Sequence, residues 1–533
     1  MSNVPEIPLG EDKPKLYRLF EVIPGLTSWS ILIGLVFFAY AAPGLYSYVI
    51  VFYILSWVIK SFIVVVKTQI GYRLIRTAEK EDWSKVGDSK YKFKSGVMAK
   101  YYSRMVLNRE SIDENKRINI SDIVHIVVIP VYNESFEIVD DTIKHIKECS
   151  YDAKNRVVVL ITYEERTGEA IESDMLKVRD KYKESFKAAI CNKHTLEDGE
   201  VPGKGANISS TSDMIISYCD ENKINYNDVL VTTLDADNIM SKNYFNLLDL
   251  TYSSTPNPEK ASYQPTILYT NNIWDVPAVA RMLAVNNTIW SISQSVRPRL
   301  LRNFSSHAQS LKSLIETNFW SKKTIVEDGH QYWRSLFAFN GDYRIVPFYA
   351  TINHDAVVSE KYLLIFKAQF AQIRRWAYGV SDVPYVACNM LKQRTKFTNN
   401  NFHKLGSKLI RLMDTHITWA TNSFIILLAP SLPAIMQTSG RYDKLSSRLP
   451  NIAGSIQTLA LVSLLSVLIF NLMILPKRPL SKPKSIYLLI IVQWIFSPLV
   501  GIIYGSGASL YSQTRLMLGR YYEDFEVTKK KRF

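Results

Sequence analysis

Five apolar runs divide the chain into segments of membrane character and segments of water-soluble character. A helix that crosses a bilayer needs about 20 mostly apolar residues. The runs that approach or reach this length cover residues 26–42, 45–66, 415–436, 457–475 and 485–504. The pattern therefore predicts two membrane helices near the N-terminus and three toward the C-terminus, with a long polar region between them.

The first two runs are expected to form a helical hairpin. They are separated by an Ala-Pro-Gly sequence at 42–44, which is typical of a turn. Lysine and arginine residues lie before the first run and after the second, and such flanks favour the cytoplasmic side of a membrane. We therefore expect a cytoplasmic N-terminal segment (1–25), a transmembrane hairpin (26–67) and a cytoplasmic domain (76–403).

Within the central region, short β-branched runs alternate with stretches of helical periodicity. The predicted strands cover 123–131, 156–162, 228–234 and 263–268, and the clearest helical stretches cover 137–148 and 170–186. Continuous apolar strands that alternate with helices predict an α/β fold with a mostly parallel sheet, covered on both faces. Ligands of such sheets bind at the carboxyl ends of the strands, so we expect the catalytic and ligand-binding side chains there.

Charge and cysteine content narrow the possible partners. The 533 residues carry a formal net charge of +15, which suits anionic lipid, nucleotide phosphates or nucleic acid. Many of the cations lie beside the apolar runs and no nucleic-acid-binding motif is present, so a lipid bilayer is favoured and nucleic acid is not expected. The four cysteines form no C-x-x-C pair, which fits a reducing compartment and argues against a thiolate metal site.

Polar side chains follow three of the predicted strands. They are Tyr132 and Glu134 after the first strand, Glu164 and Glu165 after the second, and Asp235 and Asp237 after the third. Two carboxylates one residue apart can share a Mg²⁺ or Mn²⁺ ion and leave coordination positions for phosphate oxygens. Such an ion would neutralise the charge that builds on a departing diphosphate. The sequence therefore predicts a divalent-metal site at Asp235 and Asp237.

Two further patterns lie nearer the C-terminal end of the central region. A carboxylate in the Glu327-Asp328 pair could act as a general base, although in isolation an Asp at this place is more typical of a helix N-cap. The stretch 362–376 has helical apolar spacing and ends in Arg375-Trp376, so it could be an interfacial amphipathic helix. Its alternative role is to place Arg375 near a diphosphate and Trp376 against a sugar.

Together these patterns resemble a known family. The order Pro-Val-Tyr-Asn-Glu (130–134), Asp-Ala-Asp (235–237), Glu-Asp (327–328) and Gln372-x-x-Arg375-Trp376 resembles family 2 glycosyltransferases. The similarity is to the membrane-integrated branch that contains cellulose and hyaluronan synthases. The sequence Phe-Glu-Val-Thr-Lys-Lys at 525–530 is also similar to the F-x-V-T-x-K gating motif of cellulose synthases.

The resemblance implies a fold and a reaction. The fold would be a GT-A-type nucleotide-sugar-binding domain inserted between N-terminal and C-terminal transmembrane helices. The reaction would be an inverting transfer of a sugar, from a UDP-sugar and with Mg²⁺ or Mn²⁺, to a growing polysaccharide. It would occur at the cytoplasmic face of the plasma membrane and could be coupled to translocation of the polymer.

The resemblance also implies roles for individual residues. Donor and nucleotide binding would fall to Tyr132, Glu134, Glu164, Glu165, Lys204, Asp235 and Asp237, with Asp235 and Asp237 at the metal. Asp328 would be the general base. Diphosphate and acceptor binding would fall to Glu327, Gln372, Arg375 and Trp376, and the gating loop would contain Phe525, Val527, Thr528 and Lys530.

One departure from the family pattern and one conflict over membrane topology leave alternatives open. The second strand ends in Tyr-Glu-Glu-Arg rather than an Asp-rich turn, so the sugar donor is open, and the acceptor could instead be a lipid such as polyprenyl phosphate. A non-catalytic membrane scaffold or transport subunit is a further alternative.

Five crossings would also separate the tail (512–533) from the cytoplasmic domain, so either one segment of 404–511 does not cross or a crossing is missed. The segment around Pro498 is the first suspect.

Overall fold

An eight-stranded mixed sheet forms the centre of the polar region in the computed structural model, which describes residues 4–86, 88, 90–358, 362–436 and 444–522. The strands are β1 (Val124–Val131), β2 (Val157–Glu164), β3 (Ala188–His194), β4 (Val229–Thr233), β5 (Ile239–Met240), β6 (Ala261–Leu268), β7 (Ala308–Ser310) and β8 (Arg344–Asn353). Their order across the sheet is β3-β2-β1-β4-β7-β6-β8-β5.

The four strands predicted from the sequence are all present, and three of them are parallel neighbours. β1 pairs in parallel with both β2 and β4, so their carboxyl ends lie at one edge of the sheet. The expectation of a mostly parallel sheet is only partly met, because four strand pairings are parallel and three are antiparallel. The three-residue strand β7 runs against both β4 and β6, and a strand this short has too few positions for its pattern to show in the sequence.

Helices cover both faces of the sheet. In chain order the helices are α1 (Lys15–Ala41), α2 (Pro43–Glu79), α3 (Gly96–Glu110), α4 (Phe136–Lys147), α5 (Ala153–Arg156), α6 (Glu169–Tyr182), α7 (Lys204–Ser209), α8 (Ser212–Glu221), α9 (Tyr244–Ser253), α10 (Ala278–Ser295), α11 (Leu311–Glu316), α12 (Glu327–Ala338), α13 (Tyr362–Ala377) and α14 (Asp382–Lys392). Alternate residues of β1 enter two different cores, one with α4, α6 and α9 and the other with α8 and α11. Burial on both faces explains why β1 and β2 are apolar at almost every position.

The remaining helices follow the sheet domain. They are α15 (Asn399–Leu428), α16 (Leu432–Ile435), α17 (Lys444–Ile474), α18 (Ile486–Val492), α19 (Ser497–Val500) and α20 (Ala508–Met517). Five helical segments are long and apolar enough to cross a membrane: Lys15–Ala41, Pro43–Glu79, Asn399–Ile435, Lys444–Ile474 and Ile486–Met517. These contain the five apolar runs of the sequence, and their length and composition are those of an integral membrane protein.

The last of these segments differs from the others because both of its ends contact the sheet-domain side. Just before it, Lys482 forms an ion pair of 2.7 Å with Asp275, which precedes α10. Near its end, the Ser512 hydroxyl donates to the Arg374 carbonyl at 2.6 Å, and Arg18 donates to the Leu516 carbonyl at 2.7 Å. A seven-residue π-helical stretch, Gly501–Gly507, interrupts the segment. Interrupted helices of this kind change direction, which is consistent with a segment that returns to the side it left.

Candidate functional site

The Asp235-Ala236-Asp237 motif lies at the edge where β1, β2 and β4 end. The amide of Leu234 still donates to the Val128 carbonyl at 2.9 Å, so pairing with β1 extends to the residue before Asp235. The chain then turns, and the Asn238 amide donates to the Asp235 carbonyl at 3.0 Å. Asp237 is buried, with 1% of its surface exposed. The motif therefore lies at the carboxyl end of β4, beside the end of β1.

Lys204 joins the two acidic motifs. Its Nζ lies 2.9 Å from Asp235 Oδ1, 3.0 and 3.2 Å from the two Asp328 carboxylate oxygens, and 3.5 Å from Glu327 Oε1. Burial alone would lower the pKa of Lys204, but the three nearby carboxylates outweigh it and raise that pKa well above its ordinary value. Lys204 is therefore a charged group at the centre of the site.

A close backbone approach brings Lys204 to this position. Lys204 begins α7, and the next residue, Gly205, packs so tightly that an added Cβ would lie 2.7 Å from the Ser321 carbonyl oxygen. The same Cβ would lie 3.1 Å from Glu327 Cβ. Glycine is the residue that permits this contact between α7 and the segment before α12.

Glu327 and Asp328 are the first two residues of α12, and neither caps it. The N-cap position is held by Val326, without a side-chain hydrogen bond to the helix. The N-cap interpretation of Asp328 is therefore wrong, because its carboxylate is bound by Lys204 instead. Burial, and then the charge of Asp328, raise the pKa of Glu327 to about 7, against the opposing effect of Lys204.

Two polar residues from the loop before β7, which no sequence pattern predicts, also contact the acidic motifs. The Ser305 hydroxyl donates to Asp235 Oδ2 at 2.6 Å. The buried His307 places Nδ1 2.9 Å from the Phe304 carbonyl oxygen and 3.5 Å from Asp328 Oδ1. Burial is the main reason that the pKa of His307 is lowered, and the Asp328 carboxylate opposes that shift. No sequence pattern marks this loop, because β7 is too short to be predicted.

The end of α13 forms a wall beside the carboxylates. The Trp376 ring lies 6.2 Å from the ring of Tyr269, centroid to centroid, and Tyr269 lies 5.2 Å from the ring of His354. Burial and then the charges of Asp235 and Asp237 raise the pKa of Tyr269, so this ring lies near the acidic motif. Tyr269 and His354 follow β6 and β8 and were not found from the sequence.

Arg375 also lies near the acidic motifs. Burial lowers the pKa of its guanidinium, and the carboxylates of Glu327, Asp235 and Asp328 oppose that shift. Gln372, one turn earlier on α13, accepts a hydrogen bond from Gln369 at 3.2 Å. The structure therefore brings Arg375 and Trp376 of this motif together with Asp235 and Asp328.

The residues after β1 and β2 form a separate part of the same edge. Glu134 Oε2 accepts from the amides of Tyr132 and Asn133 at 2.8 and 3.2 Å. The Arg166 guanidinium forms an ion pair with Glu164 and lies over the Tyr132 ring, 4.7 Å from its centroid.

Glu164 and Glu165 have different surroundings. Glu164 is the last residue of β2 and is buried, with 4% of its surface exposed. Glu165 is half exposed and accepts a hydrogen bond from Thr195 at 2.8 Å. Glu164 is therefore the residue that shares the strand edge with Tyr132, whereas Glu165 lies on the outer side.

The predicted gating residues Phe525, Val527, Thr528 and Lys530 lie outside the described residues. The chain is described up to Tyr522, whose ring lies 4.7 Å from the ring of Tyr378. The neighbouring Tyr521 hydroxyl donates to Glu21 of α1 at 2.7 Å.

The donor set at the sheet edge suits a hard divalent cation. Asp235 and Asp237 offer carboxylate oxygens, the ligands that Mg²⁺ and Mn²⁺ prefer. Among the residues that the structure describes, no group of three or more His, Cys, Asp or Glu side chains is placed to hold a metal ion. The protein side chains therefore fit a metal that takes its remaining ligands from a diphosphate or from water.

Comparisons with known proteins give only distant similarities. No protein family model and no curated protein sequence matches the chain. Among solved structures, the mannosyltransferase PcManGT from Pyrobaculum calidifontis, in complex with GDP-Man and Mn²⁺, is 12% identical with a TM-score of 0.39, over 86% of this chain and 98% of that one.

Two other solved structures are also similar to the chain. S. aureus TarS 1–349 is 9% identical with a TM-score of 0.35, over 75% of this chain and 93% of that one. GalNAc-T7 with UDP, GalNAc and Mn²⁺ is 10% identical with a TM-score of 0.31, over 63% of this chain and 68% of that one. Because these TM-scores lie below 0.5, none of the three similarities assigns a family or a function to this chain.

Proposed function

We propose that this chain is a membrane-bound glycosyltransferase that transfers a sugar from a nucleotide-sugar, most simply a UDP-sugar, to a growing polysaccharide. The observation that carries the proposal is the Lys204 contact with both Asp235 and Asp328 at the carboxyl edge of the sheet. It joins a diphosphate-type metal motif and an acidic pair, of which Glu327 is buried, in one site. Arg375 and Trp376, beside that site, supply a cation for phosphate and an aromatic face for a sugar.

The charge of the site supports a bound divalent cation and an anionic donor. The site contains four carboxyl groups and two cationic side chains: Asp235, Asp237, Glu327, Asp328, Lys204 and Arg375. With all of them ionised the balance is two negative charges, which a divalent metal ion would neutralise. When bound at Asp235 and Asp237, such an ion would polarise the donor diphosphate and stabilise its negative charge as it leaves.

In the proposed reaction Asp328 is the general base. The acceptor hydroxyl oxygen attacks the anomeric carbon, its proton passes to Asp328, and the bond from that carbon to the diphosphate oxygen breaks with its electron pair. A single displacement inverts the anomeric centre, so an α-linked donor gives a β-linked product. Lys204 occupies both Asp328 oxygens in the described state, so it must turn toward the donor diphosphate before Asp328 can accept the proton.

The proposal is tested by incubating membranes that contain the chain with radiolabelled UDP-sugars and Mn²⁺. Label is then sorted into polymer, lipid extract and neither. We expect label in polymer, and a loss of at least about 100-fold in Asp328→Asn and Asp237→Asn. Lys154→Ala, an exposed position at the far edge of the sheet, is the control.

The remaining outcomes separate the alternatives. Label in the lipid extract alone would favour transfer of one sugar to a lipid acceptor. A wild-type chain that labels neither fraction with any donor would favour a non-catalytic scaffold or transport subunit. Full activity of both Asp variants would contradict the assigned site.

A further inference from the structure

The stretch of chain before the third apolar run carries positive charges and no negative ones. Between residues 383 and 413 it contains six lysine or arginine residues and no aspartate or glutamate: Lys392, Arg394, Lys396, Lys404, Lys408 and Arg411. A cluster of four to eight such cations directly before a membrane helix is typical of anionic-lipid binding. Charge alone gives only attraction to a membrane surface, so a binding site requires a shaped surface as well.

A groove between α14 and α15 supplies that surface. It has a volume of about 330 Å³ and is lined by Met390, Phe402, His403, Gly406, Ser407 and Ile410. Ile410 is 70% exposed, and Leu391, beside the groove, is 52% exposed. Gly406 forms part of the wall, and a Cβ added there would make an ordinary contact of 3.4 Å with Met390 Cε.

A cation lies directly on the groove wall. The Arg394 guanidinium is centred 4.2 Å from the middle of the Phe402 ring and donates to Asn399 Oδ1 at 2.7 Å. Lys392 and Lys404 are exposed at the same junction, where α14 ends and α15 begins. The site therefore combines apolar side chains with positive charge, and the acidic residues nearest along the chain are Asp382 and Asp414, outside the stretch 383–413.

One end of the groove reaches the surface of a bilayer. The apolar run of α15 begins at about residue 415, and a helix rises about 1.5 Å per residue. On the side of the sheet domain, Ile410 then lies about 8 Å outside the hydrocarbon layer and Phe402 about 20 Å outside it. The headgroup layer is roughly 5 to 8 Å thick, so the end of the groove at Ile410 reaches it.

We propose that this groove binds an anionic phospholipid of the leaflet that faces the sheet domain. Because these cations lie farther from the hydrocarbon than Ile410, the lipid would be partly lifted out of the bilayer. The upper part of an acyl chain would then lie against Ile410 and Met390, and the phosphate would be held by Arg394, Lys392 and Lys404. A zwitterionic lipid has no net negative charge, so these cations would attract it less strongly than an anionic lipid. The proposal is independent of the glycosyltransferase assignment, because none of these residues belongs to the sheet-edge site.

The test measures lipid binding to the full chain in detergent micelles. Acyl-chain-labelled phosphatidylglycerol and phosphatidylcholine are titrated, and each Kd is determined by fluorescence anisotropy. We expect phosphatidylglycerol to bind at least about tenfold more tightly. The double variant Lys392→Ala/Lys404→Ala should weaken phosphatidylglycerol binding about tenfold and leave phosphatidylcholine unchanged.

Two further variants make the result decisive. Ser407→Trp, which fills the groove without removing a charge, should also weaken phosphatidylglycerol binding. Lys154→Ala/Lys183→Ala, which removes two exposed lysines of the sheet domain, should not. Equal affinity for the two lipids, or no effect of the Lys392 and Lys404 changes, would overturn the proposal. A further outcome would also overturn the proposal: millimolar inorganic phosphate displaces phosphatidylglycerol, and Ser407→Trp binds phosphatidylglycerol as tightly as the unchanged chain does. That outcome would show a simple anion site.

Discussion

At the scale of single residues, the candidate site is a set of charges whose properties depend on burial. Lys204 stays charged although it is buried, because carboxylates surround it. Glu327, in the same cluster, has its pKa raised to about 7. The same low-dielectric surroundings therefore keep one group charged and push another toward neutrality, which is a common property of catalytic sites.

The raised pKa of Glu327 predicts a pH dependence of stability. Its ordinary value is 4.5, so between about pH 4.5 and 7 the folded chain holds a proton that the unfolded chain has lost. This contribution to stability is therefore lost as pH rises through that window. Glu327→Gln should reduce the fall in thermal stability between pH 5 and 8, measured in detergent by intrinsic fluorescence. An unchanged pH slope in the variant would contradict the prediction.

His307 is expected to be a positioning residue. Its Nδ1 lies 2.9 Å from the Phe304 carbonyl oxygen and 3.5 Å from Asp328 Oδ1, so a hydrogen on Nδ1 would help to orient the proposed base. His307→Leu should lower kcat roughly tenfold to 100-fold and leave the KM of the donor nearly unchanged. His307→Asn, which keeps a donor group, should recover part of the rate. A change in KM alone, or equal loss in both variants, would indicate a merely structural role.

At the scale of elements, the segment before the first membrane helix is tied to the helix that begins with the acidic pair. Glu6 forms an ion pair with Arg334 of α12 and accepts a hydrogen bond from Ser321 at 2.8 Å. The Tyr385 hydroxyl of α14 donates to the Pro5 carbonyl at 2.9 Å. The sequence assigns this segment to a polar N-terminal tail, whereas in the fold it is packed between α12 and α14.

Removal of Glu6 should therefore destabilise α12. Arg334 is almost fully buried, and an unpaired buried cation is costly, although the partial exposure of Glu6 reduces the effect to about 1 to 2 kcal/mol. Glu6→Gln should lower the midpoint of thermal unfolding by a few degrees. Glu316→Gln, an exposed position on α11, is the matched control. Equal midpoints for both variants would show that the Glu6 contact does not stabilise the fold.

At the scale of the whole molecule, the contacts of the last apolar segment bear on the number of crossings. Its start lies beside Asp275 and its end beside Arg374, and both residues belong to the polar region that contains the sheet. A segment with both ends on one side returns the tail to that side, which agrees with the basic character of residues 529–532. We therefore predict four full crossings and one re-entrant or interfacial segment.

Cysteine labelling tests this arrangement. In a background without the four native cysteines, Leu480→Cys and Leu518→Cys should react with a membrane-impermeant maleimide from the same side of sealed vesicles. Gly44→Cys, in the predicted hairpin turn, should react only from the other side. Reaction of positions 480 and 518 from opposite sides would show that the segment crosses completely.

The sequence by itself determined the elements that have long, regular patterns. The five apolar segments and the strands β1, β2, β4 and β6 were predictable because their side chains repeat a pattern over many residues. The meeting of Tyr132, Glu164 and Asp235 at one edge followed from the parallel order of neighbouring strands. These features need only local periodicity and a general rule of sheet topology.

Only the tertiary structure decided which charges meet and which residues the two ends of the last apolar segment contact. Lys204 and Asp328 are separated by 124 residues, and the contact between them depends on the close packing that Gly205 allows. His307 and Ser305 enter the site from a loop beside a three-residue strand, which has no readable pattern. Distances and burial arise from packing between remote parts of the chain, and packing sets the energies of buried charges.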